Sequence, residues 1–558
     1  MTYALAPLKA PRSQGALLRT LVRLAEGPAG AALARKFLAD IGVETLRRTE
    51  ATDAPPMEHV LLAAARALPK TASAPLVPPV VHPGQVFETT RDFTDAYRAG
   101  RRTPEAVAEA LLAAVARLDE GAAPLRAVVA QNADDVRQQA RASTARWRAG
   151  TPQGPLDGVP VGIKDELDQA GYPTQVGTRM LGPQPAAADA TTVARLRAAG
   201  ALLFGKLNMH EIGMGVTGLN PHYRPARNPY DLQRATGGSS SGPAAAVAAG
   251  LGPIALGADG GGSIRIPAGL CGVFGLKCTF GRVSEHGAFP LCWSVAHVGP
   301  LAATARDLAL GYAVLAGPDA HDFSSTAQPA VALPDLEASD LQDLSGLRLG
   351  IFRPWFEDAE GPVVAACRAA VDGLLARGAT VVDIEIPELD LLRTAHLITI
   401  ASEMLTGLAP WYRTHRRQFG HDVRLNLAMT RRLAGADYVH AQRLRPRFDR
   451  HFAAALARCD VIVTPTTPIT APLLPAGALR TGLSDLGLVD AIMRYAPAAN
   501  LTGLPAVTCP VGYDAGGLPI GLQLMAGAWQ EARLLRLAAV VESFVERRAP
   551  SVRVRLLD

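Results

Sequence analysis

The chain is 558 residues long, 48% hydrophobic and 19% charged, which supplies apolar side chains for a large core and excludes a disordered protein. A net charge of +5 is too small over this length to argue for nucleic acid as a partner. Six cysteines (Cys271, Cys278, Cys292, Cys367, Cys459 and Cys509) show neither a CxxC pair nor metal-type spacing, so they are expected as buried thiols of a cytoplasmic protein with no metal site and no disulfide framework.

Residues 1–85 are expected to form a small helical extension, with helices over 15–26 and 31–49, a further helix near 57–68, and a proline-rich stretch ending near Pro83. Lys9, Arg12, Arg19 and Arg23 interrupt every apolar run before it reaches the length of a secretory signal, so export is not expected. Leu17, Leu18, Leu21 and Leu24 share one helical face with Arg19 and Arg23 opposite. Such a face packs on a larger domain, as most amphipathic helices do, or lies peripherally on a membrane.

Residues 86–558 alternate helix and strand and are expected to form one α/β domain. A helix is predicted at Thr192–Ala199, followed by the apolar run Ala201–Phe204. A strand at Arg348–Phe352, a helix at Pro362–Ala376 and a strand at Ala379–Ile386 come later. Val461–Val463, Ala506–Val511 and Ile520–Met525 are short apolar runs bounded by Pro or Gly, as buried strands are. The longest charge-free stretch, Ala235–Ala258, is too rich in Gly, Ser and Pro for a spanning helix. Between Trp411 and Phe452, ten Arg face three Asp in one predicted helical region. A solvated helical surface is the simplest account; tRNA, phospholipid or an acidic partner are the functional ones.

The informative segment is TGGSSSGPAAAVAAGLGPIALGADGGGSIRIP, Thr236–Pro267. Two glycine-flanked serine clusters are joined by a predicted helix and strand. Pro243 suits the first helical turn, a preceding serine can cap it, and Gly250 suits the position just past its end. Gly260–Gly261–Gly262 beside Ser263 can turn several N–H groups toward one point next to a hydroxyl, as an oxyanion hole for acyl transfer requires. Other readings compete. Gly238–Ser239–Ser240–Ser241–Gly242 matches GxSxG, which would make Ser240 a nucleophile, but that elbow follows a hydrophobic strand and the preceding NPYDLQRA is polar. No phosphate-loop or dinucleotide fingerprint fits. A purely structural turn with capping serines is the remaining alternative.

Three blocks in order, GVPVGIKDEL at 158–167, TGGSSSGPAAAVAAG at 236–250 and ADGGGSIRIPAGLCGVFGLK at 258–277, resemble the amidase signature family of Ser–cisSer–Lys hydrolases. The resemblance runs from about residue 90 to about 545. It implies a mixed central β-sheet covered by helices, an amide substrate and no cofactor. It further implies that Ser263 is the acylated nucleophile, Ser239 the bridging serine on a cis peptide, and Lys164 the base. Gly260, Gly261, Gly262 and Ser263 would supply the oxyanion N–H groups, and Ser240, Asp259 and Arg265 would brace the loop. The chain departs from the family pattern at Ala258, Pro243 and Cys278, none of them in the triad.

The chemistry has its own logic. A serine hydroxyl needs a base, and a lysine serves only when its amine is uncharged, which burial without a carboxylate partner favours. Asp165 and Glu166 adjoin Lys164, and on an extended segment Asp165 is expected to face away. His210 and His222 lack the HExxH pattern of a zinc site and are expected to be structural or pocket-lining. Within the family the resemblance is to plant-type fatty acid amide hydrolases, carried by KLNMHEIGMGVTGLNPHYRPARNPY at 206–230 and the N-terminal extension. It implies an N-acyl amide with a long apolar chain, lying against Met209, Met214 and the segment Ile398–Leu408. The alternatives are a general small-amide amidase and a glutamine-hydrolysing amidotransferase A subunit. A small-molecule amide and no nucleic acid are the expected partners, with a peripheral membrane surface and a homodimer as further partner expectations.

Overall fold

The short apolar runs of the chain pair edge to edge into one mixed sheet of eleven strands. In the computed structural model, which describes residues 12–51, 86–478 and 482–558 together with Tyr3, Leu5, Pro7 and Leu8, they are β1 (Val128–Ala130), β2 (Pro160–Lys164), β3 (Leu202–Leu207), β4 (Ile254–Ala258), β5 (Phe274–Lys277), β6 (Val298–Ala302), β7 (Arg348–Ile351), β8 (Thr380–Asp383), β9 (Val461–Pro465), β10 (Ala506–Tyr513) and β11 (Pro519–Ala526). Their order across the sheet is β8-β7-β9-β11-β10-β5-β6-β4-β2-β3-β1. β2 lies parallel to both β3 and β4, whereas β4 to β6, β6 to β5 and β5 to β10 are antiparallel.

Every residue of β2, β3 and β4 is buried, the mark of strands covered on both faces. Successive residues still serve opposite sides. Leu203 joins one core with Leu256, Val463 and Leu524, while Leu202 and Phe204 join another with Ala255 and Leu301. The predicted strand Ala379–Ile386 pairs only over Thr380–Asp383, because its sole partner at the sheet edge, β7, is four residues long. Ile384 and Ile386 leave the sheet and pack in a third core instead.

Eight helices bear on the site: α1 (Gly15–Glu26), α2 (Gly30–Asp40), α3 (Val43–Arg48), α4 (Ser241–Ala248), α5 (Arg265–Leu270), α6 (Leu389–His415), α7 (His421–Thr430) and α8 (Gly435–Arg458). The helix predicted over 31–49 is two helices. Gly42, at φ 85°, ends the first, and a Cβ there would lie 2.8 Å from Thr394 Oγ1. The helix expected near 57–68 and the stretch to Pro83 lie outside the described residues. The basic region is α7, α8 and the end of α6. α1 packs on α7 through Leu18, Val22 and Ala25 against Leu425, Ala428 and Met429. That face differs from the predicted leucine row, since Leu17 and Leu24 stay exposed. Among the described residues no helix is long and apolar enough to cross a membrane, and all six cysteines are free and buried.

α4 is buried along its whole length and carries small residues because it passes close to neighbouring backbone. A Cβ on Gly242 would sit 2.3 Å from Asn208 N and 2.6 Å from Ala127 O. Gly242→Ala should therefore cost about 1–3 kcal/mol or more. Gly361→Ala, where a Cβ meets nothing, should stay within about 0.5 kcal/mol; urea midpoints of the two variants make the comparison.

Candidate active site

Three segments converge at the C-terminal end of the parallel strands. Lys164 is the last residue of β2, Ser239 and Ser240 enter α4, and Ser263 lies between the end of β4 and α5. The Gly238–Ser239 peptide is cis. Lys164 Nζ donates to Ser239 Oγ at 2.9 Å and to Ala258 O at 3.1 Å. The serine loops are joined through backbone, Ser240 N–H donating to Ser263 O at 3.1 Å. Among the described residues no hydrogen bond links the Ser239 and Ser263 hydroxyls; Ser263 instead faces a pocket. Ser240 does not cap α4. Its hydroxyl donates to Ala258 O at 3.2 Å and so ties the helix entrance to the end of β4.

The glycine loop is wound around a carboxylate. Asp259 Oδ1 accepts from Gly262 N–H at 2.6 Å and Oδ2 from Ile264 N–H at 3.1 Å. Arg265 grips the same carboxylate at 3.0 and 3.1 Å, and Asn500 donates to it at 3.0 Å, all without solvent access. Burial opposes the Asp259 charge, yet Arg265 and Asn500 together hold the carboxyl far below its ordinary range. Arg265 also reaches Gln523 Oε1 and Asn500 Oδ1, both at 2.6 Å. The wrapping corrects one expectation: the Gly262 N–H is committed to Asp259, so the donors the loop leaves are those of Gly260, Gly261 and Ser263. Gly260 O accepts from His396 Nε2–H at 2.8 Å, and burial pushes His396 down to about 4, leaving it a neutral donor.

Asp165 faces away from Lys164 as expected, accepting from Gly177 N–H at 2.9 Å and Gln175 N–H at 3.2 Å, with Lys206 at 3.7 Å. Burial raises it to about 6. Glu166 does the opposite. Its Oε2 lies 2.7 Å from Lys164 Nζ, which overturns the expectation of a lysine without a carboxylate partner. The reason is that β2 ends at Lys164: Asp165 and Glu166 form a turn closed by Leu167 N–H donating to Lys164 O at 3.1 Å, and the turn brings the Glu166 side chain back to the lysine.

The pocket in front of Ser263 is walled by Met214, Val216, Leu397, Ile400, Met404, Val489 and Met493, and by Phe37 and Ile41 of the N-terminal region. The sequence did not point to Phe37, Ile41, His396 or Asn500, since none sits in a motif, and it gave Gln523 only as part of the predicted strand Ile520–Met525, with no role. Met209 does not line the pocket; it is fully buried in a core with Val176 and Leu291. His210 is buried, and burial followed by the neighbouring Lys164 charge pushes it down to about 3, too weak for a base. His222 pairs with Glu211 at 2.7 Å. Both histidines are structural.

Arg265→Leu leaves Asp259 buried without its counter-charge and should cost about 3–5 kcal/mol at pH 7. Because the folded pKa of Asp259 is depressed, the pair's contribution is present above about pH 4, the unfolded value, and fades as pH falls below it. The variant's deficit should therefore shrink in acid, which urea titrations at pH 7 and pH 3 would measure.

The amidase family model matches residues 109–535. The fatty acid amide hydrolase of Oryza sativa subsp. indica is 42% identical over 476 residues, covering 84% of this chain and 78% of that protein. The A subunit of glutamyl-tRNA(Gln) amidotransferase from a Roseiflexus species is 38% identical over 473 residues, covering 80% and 94%. The native peptide amidase structure from Stenotrophomonas maltophilia aligns with a TM-score of 0.71 and 30% identity over 83% of this chain and 98% of that one. A family match over most of the chain, on the sheet and loop geometry above, means that this chain belongs to the amidase signature family of hydrolases acting on carbon–nitrogen bonds.

Proposed function

We propose that the chain hydrolyses N-acyl amides with an apolar acyl chain through an acyl-enzyme on Ser263, with Ser239 as relay and Lys164 as base. The observation that carries the reading is the position of Ser263 in a pocket lined mainly by apolar side chains, among them Phe37, Ile41, Leu397, Ile400, Met404 and Met493, with Arg393, Asp490, His396, Asn426, Thr394 and Thr430 as its polar members. An acyl chain lying against Ile400, Met404 and Phe37 would bring its carbonyl to Ser263 and to the N–H groups of Gly260 and Gly261. In this scheme the Ser263 oxygen bonds to the carbonyl carbon while its proton passes to Ser239, and the Ser239 proton passes to Lys164. The backbone donors hold the developing oxyanion. Collapse expels the amine with the proton returned by Ser239, and water repeats the sequence on the acyl-enzyme.

The rice relative's name supports a fatty acyl chain; that of the amidotransferase component supports glutamine as a second reading. The apolar walls favour the first, since glutamine is short and polar and would leave them facing water. Six buried thiols fit a cytoplasmic setting. Exposed Leu17 and Leu24 on α1, the helix that also carries Arg19 and Arg23, support a peripheral lipid contact of the N-terminal region. Binding to anionic vesicles that is lost in Leu17→Asp/Leu24→Asp is the expected result, and equal binding by that variant removes the contact.

Across acyl amides from C2 to C18, kcat/KM should rise with length by as much as about fourfold per methylene buried; a flat profile, or glutamine as the preferred substrate, refutes the fatty reading. Ser263→Ala should abolish fluorophosphonate labelling, and Lys164→Ala should fold yet lose about 10⁴-fold in kcat. Labelling that survives in Ser263→Ala would move the nucleophile elsewhere.

A further inference from the structure

Lys164 Nζ is enclosed by three oxygens: Ser239 Oγ at 2.9 Å, Ala258 O at 3.1 Å and Glu166 Oε2 at 2.7 Å. The lysine and glutamate side chains are only 1% and 8% exposed. Nζ donates hydrogen bonds to Ser239 Oγ and Ala258 O and forms an ion pair with Glu166, and an ammonium so held has no lone pair for a proton from Ser239. If Lys164 is the base, as the reading above holds, one proton must first move elsewhere. Of the three surrounding oxygens, an amide carbonyl does not take it and a hydroxyl is needed for the relay. The carboxylate remains.

We propose that Glu166 is the far end of the proton relay, a positioning residue that accepts the Lys164 proton. The Nζ–H bond toward Glu166 breaks as an Oε2–H bond forms, converting the ion pair into an amine and a carboxylic acid with no change in net charge. Removing two opposite charges from a buried site lowers the desolvation penalty, so the neutral pair is within reach. The freed lone pair takes the Ser239 proton, Ser239 takes that of Ser263, and the Ser263 oxygen bonds to the carbonyl carbon as the C=O π electrons move onto oxygen. The ammonium and the oxyanion then balance, with Glu166 protonated. As the oxyanion re-forms C=O, the C–N bond breaks, and the departing nitrogen takes a proton from Ser239. Ser239 recovers one from Lys164, and Lys164 recovers its own from Glu166.

The titratable groups facing the pair are His210 beside Lys164 and Cys292 and Glu285 beside Glu166, with Glu403 beyond them near Cys292 and Glu285. Burial holds His210 down to about 3 and raises the Cys292 thiol and both carboxyls. Glu403 is occupied by Ser294 and Tyr438. Asp165 is turned to Lys206. Glu166 is the carboxylate that touches the lysine nitrogen.

In the wild-type protein the Glu166 carboxylate, 2.7 Å from Nζ, is the acceptor that the relay requires. In Glu166→Gln no carboxylate takes the proton, so activity needs Lys164 already uncharged. The acid limb of kcat/KM should then move to higher pH, with kcat at pH 7 down about 100-fold, and Glu166→Asp should return the limb toward its original position. Circular dichroism and fluorophosphonate labelling of Ser263 establish that each variant is folded. A second measurement uses wild-type protein: with ¹³C-labelled glutamate, an aliphatic boronic acid that forms a tetrahedral adduct on Ser263 should create one new protonated carboxyl signal in the infrared difference spectrum. An unmoved acid limb in folded Glu166→Gln, or no new carboxyl signal in the adduct, overturns the proposal. If Lys164→Ala is inactive while Glu166→Gln keeps the wild-type profile, this inference alone fails. Full activity in Lys164→Ala brings down the reading of the site itself.

Discussion

The site depends on a single buried carboxylate. Asp259 stands at the end of β4, out of contact with water, and gathers the Gly262 and Ile264 N–H groups, the Arg265 guanidinium and the Asn500 amide. An uncompensated charge there would cost several kcal/mol. Arg265 and Asn500 must therefore be in place before the loop can close. Once they are, the shape of the glycine run follows: Gly262 turns inward to Asp259, and the N–H groups of Gly260, Gly261 and Ser263 are left for whatever occupies the pocket. Asn500 lies in a short helix and Gln523 on β11, so one arginine joins the glycine loop to two distant parts of the chain. The cost of burying these charges is met by many hydrogen bonds rather than by one ion pair, which is the condition under which a buried pair fixes a geometry.

The same principle separates the two carboxylates after β2. Asp165 and Glu166 are neighbours in sequence, yet one belongs to Lys206 and the loop at Gly177, the other to Lys164. The turn that follows β2 makes this division, and two buried lysines and two buried acids are thereby paired. The Lys164 nitrogen has Ser239 Oγ, Ala258 O and Glu166 Oε2 as its oxygen neighbours.

Chemistry carried by short segments was readable from the residues. The glycine–serine runs, the lysine ending an apolar strand, Pro243 in the first turn of α4 and Gly250 past its end all rest on local rules, and the structure places them as those rules require. What was missed is tertiary. His396 and Asn500 act on the glycine loop from segments without any motif, Gln523 reaches Arg265 from a predicted strand whose sequence gave it no role, and only chain closure brings them there. Gly42 divides a predicted helix because its left-handed φ is chosen by packing against Thr394, which lies far along the chain. Met209 and Met214 are equally plausible pocket residues by composition; an irregular backbone between them, with no period to read, sends one into the core and the other to the pocket. Glu166 was missed because the segment was read as extended, whereas the strand ends at Lys164 and a turn at Asp165–Glu166 brings its carboxylate back to the lysine.

The glycine loop and one wall of the pocket beside it are drawn from different parts of the chain. The span matching the amidase family, residues 109–535, contains Lys164, Ser239, Ser263 and the whole Asp259 network. Leu8, Phe37 and Ile41, which close one side of the pocket, lie before it. They are held there by contacts that run from the N-terminal helices to α6, α7 and α8: Thr394 Oγ1 to Ile41 O at 3.0 Å, Arg424 to Glu26 at 2.7 Å, and Arg47 to Asp437 at 2.8 Å. The helices that receive these contacts also supply Ile400, Met404, Asn426 and Thr430 to the pocket. A shift of α1–α3 would thus alter the pocket walls without disturbing the charges around Asp259, which lie behind the loop. The glycine loop and the N-terminal wall of the pocket are therefore held by separate sets of contacts, one centred on Asp259 and Arg265, the other running from the N-terminal helices to α6, α7 and α8.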